Sequence, residues 1–156
     1  MRGLKPILII DDDYAEQVIL KRAFKDLEIS NPLVCLADCK EALTYLRETN
    51  NEKPQIILTD LNMPQMNALE FLKVIKTDKV LKQIPIIILS GSGDENDVTE
   101  CFKLGVAGYM VKPLEYKKLS ELISAIHRYW TLSELPSSSL NYRADHSASP
   151  RVVVKQ

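Results

Sequence analysis

The chain has 156 residues, 46% of them apolar and 26% charged, with 20 basic side chains against 21 acidic ones and a formal charge of −1. That length suits one compact domain with a short appendage, and so large an apolar share excludes wholesale disorder. Charges of both signs are mixed along the chain, so no basic stripe points to nucleic acid and no acidic block to a solvating tail.

Three cysteines, Cys35, Cys39 and Cys101, lack metal-ligand spacing and read as small thiols of a reducing compartment. The apolar run Ile7-Leu8-Ile9-Ile10 follows Arg2 and Lys5 but is too short for a signal-peptide core, and three aspartates end it. No stretch approaches the roughly 20 apolar residues that span a bilayer. The sequence therefore predicts a cytoplasmic protein with no membrane and no nucleic-acid partner.

Short apolar runs alternate with longer amphipathic ones. Ile7–Ile10 reads as a strand buried on both faces. Tyr14–Leu27 reads as a helix after a capping-competent Asp13, with Val18, Ile19, Arg22, Ala23 and Leu27 at helical spacing. Leu33–Ala37 is a second strand, Lys40–Glu48 a helix with Ala42, Leu43 and Leu46 inward, and Ile56–Asp60 a third strand. Leu69–Ile75 is helical. Ile84–Ser90 is a fourth strand, opened by Pro85 where a missing N–H costs least. Asp94–Leu104 is a helix stopped by Gly105, Ala107–Val111 a fifth strand, and Glu115–Trp130 a final helix with Leu119, Leu122, Ile123 and Ile126 on one side. Five strands alternating with five helices predict an α/β fold, a parallel sheet covered on both faces. From Thr131 the texture changes to Pro136-Ser137-Ser138-Ser139 and a closing Val152-Val153-Val154. The expected division is a domain over residues 1–130 and an extension over 131–156, with no output domain.

Ligands of an open parallel sheet gather at the carboxyl ends of its strands. Asp11-Asp12-Asp13 follow the first strand, Asp60 ends the third, Ser90 the fourth and Lys112 the fifth. Carboxylates brought together there repel unless a cation joins them, and Mg²⁺, a hard oxygen-seeking ion, suits one or two carboxylates plus phosphate oxygens. Asp60 is then the candidate nucleophile, of the kind that forms an aspartyl phosphate. Asp11 and Asp12 hold the metal, Lys112 supplies a fixed cation, and Ser90 a hydroxyl donor. Asp13 reads as a helix cap, and His127 and His146 are assigned no chemistry.

Ile9-Ile10-Asp11-Asp12, Leu58-Thr59-Asp60-Leu61-Asn62-Met63-Pro64, Ile86-Ile87-Ile88-Leu89-Ser90 and Gly108-Tyr109-Met110-Val111-Lys112-Pro113 together resemble the receiver domain of two-component response regulators, over about residues 5 to 130. The resemblance implies a flavodoxin-like, doubly wound five-stranded sheet of order 2-1-3-4-5. It implies Asp60 as phosphoacceptor, Mg²⁺ bound by Asp11, Asp12, Asp60 and the Asn62 carbonyl, and Ser90 and Tyr109 as switch residues. A cis peptide between Lys112 and Pro113 is implied too, and a responsive face formed by the fourth helix, fifth strand and fifth helix. The implied partners are a sensor histidine kinase and a downstream protein that the sequence does not identify. The end of the chain, Arg128-Tyr129-Trp130 to Pro136, is similar to the small regulators paired with cyanobacterial phytochrome histidine kinases, which implies a light-regulated kinase and a homodimer.

One departure is Asn67-Ala68 where that family usually has Asp-Gly; a positive φ there would strain Ala68 by about 1 kcal/mol. Two rival readings stand beside this one. A haloacid-dehalogenase-type phosphohydrolase would use Asp11 as nucleophile and Asp13 as acid and base, but would leave Asp60 and Lys112 without roles. A docking module independent of phosphate draws on Ala68.

Overall fold

The computed structural model describes residues 4–136. Five strands, β1 (Ile7–Ile10), β2 (Leu33–Leu36), β3 (Ile56–Thr59), β4 (Ile86–Ser90) and β5 (Gly108–Val111), form one parallel sheet of order β2-β1-β3-β4-β5. Between and after them run α1 (Tyr14–Asp26), α2 (Cys39–Arg47), α3 (Ala68–Lys76), α4 (Glu95–Lys103) and α5 (Tyr116–Leu132). This is the doubly wound, flavodoxin-like arrangement the sequence implied. The final helix runs to Leu132, and the segment 137–156 with its valine run lies outside the described residues.

Alternation along the strands decides which helices lie on which face. Leu8, Ile10, Ile57, Ile86 and Ile88 point to one side, where they pack with Ala42, Leu43 and Leu46 of α2, with Phe71, Leu72 and Ile75 of α3, and with Cys101 of α4. Ile7, Ile9, Ile56, Leu58, Ile87 and Leu89 point to the other, against Leu20, Ala23 and Phe24 of α1 and Leu119, Ile123 and Ile126 of α5. The three central strands are buried on both faces, which is why their sequences are unbroken apolar runs. Pro85 precedes β4 and contributes only its carbonyl, which accepts from Ile57 N–H.

The structure corrects the helical stripe of α1. Val18 and Ile19 face solvent, and Gln17, Leu20, Ala23 and Phe24 are the residues buried against the sheet. A helix resting on a sheet buries one stripe, and α1 carries two apolar ones; the larger side chains Leu20 and Phe24 take the inner one. Arg22 lies over the Tyr116 ring of α5, 4.4 Å from its centroid. A 3₁₀ turn at Leu81–Gln83, absent from the sequence reading, closes the path from α3 into β4.

Cys39 and Cys101 are buried and Cys35 is half-buried, all as free thiols. Burial pushes the Cys39 thiol up to about 12. Trp130 packs half-buried against the α1–α5 side of the sheet, and its carbonyl accepts from Gln55 Nε2 at 3.0 Å. His127, likewise half-buried, has its Nε2 3.3 Å from Asn31 Oδ1.

The strain expected at Ala68 is not there. Asn67 caps α3 with an ordinary φ of −83°, and Ala68 is the first helical residue, fully buried. Asn67 Oδ1 accepts from Glu70 N–H while Glu70 Oε1 accepts from Asn67 N–H, a complete capping box. The positive φ of this loop falls instead on Gln65, at 69°. Ala68→Gly should therefore destabilise the fold by roughly 0.5–1 kcal/mol, through helix entropy and lost packing, whereas Gln65→Gly should be neutral or stabilising. Chemical denaturation of the two variants measures both; greater stability from Ala68→Gly would contradict this account of the loop.

Candidate functional site

Backbone hydrogen bonds place the strand ends side by side. Asp11 N–H donates to Leu36 O, Asp60 N–H to Ile10 O, and Lys112 N–H to Ser90 O. Chain segments 22 to 49 residues apart in sequence thus present Asp11, Asp60, Ser90 and Lys112 along one edge of the sheet. One carboxylate oxygen each from Asp11, Asp12 and Asp60 lies within 4.8 Å of the others.

Asp11 is 3% exposed and both its oxygens are engaged: Oδ1 accepts from Asp13 N–H at 2.9 Å, and Oδ2 faces Lys112 Nζ at 3.2 Å. Gln17 fixes the backbone beneath it, donating from Nε2 to Asp11 O at 2.7 Å. Asp12 is exposed. Asp60 is half-buried, and its Oδ1 accepts from Leu61 N–H at 2.8 Å. Burial pushes the Asp60 carboxyl up, and Asp11 and Asp12 add to this, against the opposing pull of Lys112 and the Leu61 N–H.

Lys112 reaches across from the fifth strand end. Its Nζ pairs with Asp11 Oδ2 and, at 3.1 Å, with Glu16 Oε1. Burial alone would lower its pKa, but Asp11, Glu16 and Asp60 outweigh that and hold the ammonium above its ordinary value. Lys112–Pro113 is trans, since no peptide bond among the described residues is cis. The expected cis bond is thereby corrected; a trans bond to proline is favoured by about 0.5–1 kcal/mol unless something opposes it.

Ser90 is 2% exposed, its Oγ accepting from Ser92 N–H at 3.2 Å, and Tyr109 donates its hydroxyl to Ser92 O at 2.7 Å. The two expected switch residues are thus joined through Ser92. Asn62 lies exposed in the loop between β3 and α3. Asp13 caps α1, its Oδ1 accepting from Ala15 and Glu16 N–H, and Asp94 caps α4 in the same manner. Asp13 is the acid and base that a dehalogenase scheme would need, and it is occupied with the start of α1, while Asp60 and Lys112 act on one another at the site.

Glu16 and Gln17 were not singled out by the sequence. Glu16 stands three residues after the Asp13 cap, where glutamate is ordinary, and Gln17 looks polar enough for the outer face of α1. Only the folded pairing of Asp11 with Lys112 assigns either of them to the site.

The residues present suit a divalent cation. Asp11, Glu16 and Asp60 act on the Lys112 ammonium, and Asp12 joins Asp11 and Asp60 in one cluster of carboxylates. All the donors at the Asp11–Asp12–Asp60 cluster are hard oxygens, the set Mg²⁺ and Mn²⁺ take.

Comparison with known proteins bears on the family of the whole domain. The response regulator receiver domain family matches residues 7–124. Response regulator Rcp1 of Synechocystis sp. is 32% identical over 130 residues, 81% of this chain and 88% of that protein. The probable methanogenesis regulatory protein FilR2 of Methanothrix harundinacea is 32% identical over 127 residues, 80% of this chain and 82% of that one. Among solved structures, the phosphorylated cyanobacterial phytochrome response regulator RcpA superposes with a TM-score of 0.80 at 31% identity, covering 86% of this chain and 100% of that one. The Mn(2+)-bound form of Rcp1 gives 0.77 at 31% identity, covering 85% and 99%. A sheet of this order and a family match over most of its length establish that the chain belongs to the response regulator receiver domain family, phosphoacceptors served by sensor kinases, with the cyanobacterial phytochrome response regulators among the proteins it resembles.

Proposed function

We propose that this protein takes a phosphoryl group from a sensor histidine kinase of phytochrome type onto Asp60, in a Mg²⁺-dependent reaction, and signals through the surface of α4, β5 and α5. The observation that carries the reading is the meeting of Asp11, Asp12 and Asp60 within 4.8 Å, with Lys112 paired to the same cluster.

Asp60 Oδ2, left open by the Leu61 N–H bond to Oδ1, attacks the phosphorus of a phosphohistidine. The P–N bond breaks as the O–P bond forms, and the imidazole leaves as a neutral base able to take up a proton. Asp11, Asp12, Asp60 and the Asn62 backbone carbonyl would hold a Mg²⁺ ion, which would supply charge compensation for the phosphoryl oxygens. Lys112 adds a fixed positive charge, and Ser90 turns its hydroxyl donor to the same oxygens. Hydrolysis of the acyl phosphate later returns Asp60 and inorganic phosphate, so the chain acts only on its own phosphoryl group.

Ser90 gives up its bond to Ser92 when it turns, which loosens the carbonyl holding Tyr109 and alters the neighbouring face. Phe102 of α4, Val111 of β5 and Tyr129 and Leu132 of α5 are exposed large apolar residues on these elements, and they support a protein contact there, with a downstream protein and with a second copy. Residues 131–156 are read as an extension of the receiver domain.

Incubation with acetyl phosphate and Mg²⁺ should give one hydroxylamine-sensitive phosphoryl group per chain, absent from Asp60→Asn and from samples in EDTA. Label that persists in Asp60→Asn would refute the assignment. Lys112→Ala should still accept some label but lose the accompanying change in the α4–β5–α5 face, read by amide chemical shifts; an unchanged response would remove Lys112 from the mechanism.

Folding raises the Asp60 pKa, so the ionised carboxylate costs stability. That cost is absent below the unfolded-state value of about 3.9 and is fully felt once pH exceeds the folded-state value. In EDTA, Asp60→Asn should therefore raise Tm at pH 7, with the gain vanishing as pH falls towards 4 and shrinking when Mg²⁺ stabilises the wild type. A Tm lowered by the substitution at pH 7 would contradict the electrostatic account.

A further inference from the structure

Three helices of this fold begin alike, with an Asp or Asn cap and a glutamate three residues on: Asp13 and Glu16, Asp38 and Glu41, Asn67 and Glu70. In two of them the glutamate turns back on its own helix start. Glu70 accepts from the Asn67 N–H, and Glu41 from the Ala37 N–H one residue earlier. Glu16 does neither. The N–H of its cap residue, Asp13, is taken by Asp11 Oδ1, and the Glu16 carboxylate goes to Lys112 on the far side of the sheet order.

Lys112 Nζ is thus held between Asp11 and Glu16, on the acid-pair side of the pocket, and its described hydrogen bonds do not include Asp60. The two partners differ in how easily they let go. The Asp11 side chain is 4% exposed and held by a second bond, so uncovering its charge inside the protein is costly, whereas the Glu16 side chain is 36% exposed and can return to water. A dianionic phosphoryl group on Asp60 competes for the same ammonium.

Resting on the reading of Asp60 as phosphoacceptor, we propose that Glu16 is a positioning residue that competes with the phosphoryl group for Lys112. It holds the ammonium back in the resting state and so sets how strongly the pocket retains a phosphoryl oxygen.

Beryllofluoride in saturating Mg²⁺ probes this directly, as a phosphoryl mimic titrated by calorimetry into the full chain. Glu16→Gln keeps the side chain's size and helix role but gives up the charge; it should bind beryllofluoride about two- to tenfold more tightly, the range for a partly exposed charged hydrogen bond. Asp13→Asn removes a charge from the same helix start, keeps a good cap and touches no part of Lys112, so it should change the affinity less than Glu16→Gln does. Equal gains from the two variants would reduce the effect to bulk charge and overturn the inference, as would an unchanged affinity in Glu16→Gln. A wild-type chain that takes neither beryllofluoride nor label at Asp60 would instead defeat the phosphoacceptor reading, and this inference with it.

Discussion

Carboxylates crowded against a single ammonium are what the rest of this structure has to accommodate. Asp11, Asp12 and Asp60 bring oxygens within 4.8 Å of one another, Glu16 adds a fourth acid to the same lysine, and Asp60 is drawn half out of water. Like charges at such separations repel by several kcal/mol in a partly desolvated setting, on the order of what a small domain has in reserve. Only a rigid support can hold them there. The three central strands supply it: each is buried on both faces, and their register fixes the strand ends against one another independently of what those ends carry.

The same geometry explains why Lys112 is not a surface lysine like the others. Burial of an ammonium ordinarily lowers its pKa, yet here the surrounding acids reverse the sign. Its charge is therefore dependable at any physiological pH, and what can vary is its position. Asp11 is held by the Asp13 N–H and by the Gln17 bond to its own carbonyl. Of the two acids paired with Lys112, Glu16 is the one at the margin of the site, its side chain 36% exposed.

Much of this was legible from residues alone because strand ends in a parallel sheet fall at one edge whatever the details. Four motifs that each close an apolar run had to meet, and the alternation of runs gave the sheet and its helices. The misreadings have a common source, since a choice between equivalent local options is made only by tertiary packing. Periodicity in α1 permits a stripe through Val18 or one through Leu20 and Phe24, and the sheet takes the second. A positive φ was sought at Ala68 because glycine is usual there, yet the turn puts it on Gln65 and lets Asn67 and Glu70 close a capping box. Glu16 has the same sequence signature as Glu41 and Glu70, and no local rule says that it alone will reach across to another strand.

Ser90 and Tyr109 are linked through Ser92. Ser90 Oγ accepts from Ser92 N–H, and the Ser92 carbonyl accepts from the Tyr109 hydroxyl. The first bond, at 3.2 Å, is at the long end for N–H···O, while the second, at 2.7 Å, is ordinary for O–H···O, so the weaker link lies on the pocket side. In the proposed switch, a Ser90 that turned inward would release the N–H of Ser92, the residue whose carbonyl holds the Tyr109 hydroxyl. Gly93 follows directly, and a Cβ there would stand 3.0 Å from Val111 Cγ2, so this loop already lies close against the fifth strand. In the proposed function, this close packing would couple an adjustment begun at Ser90 to Val111.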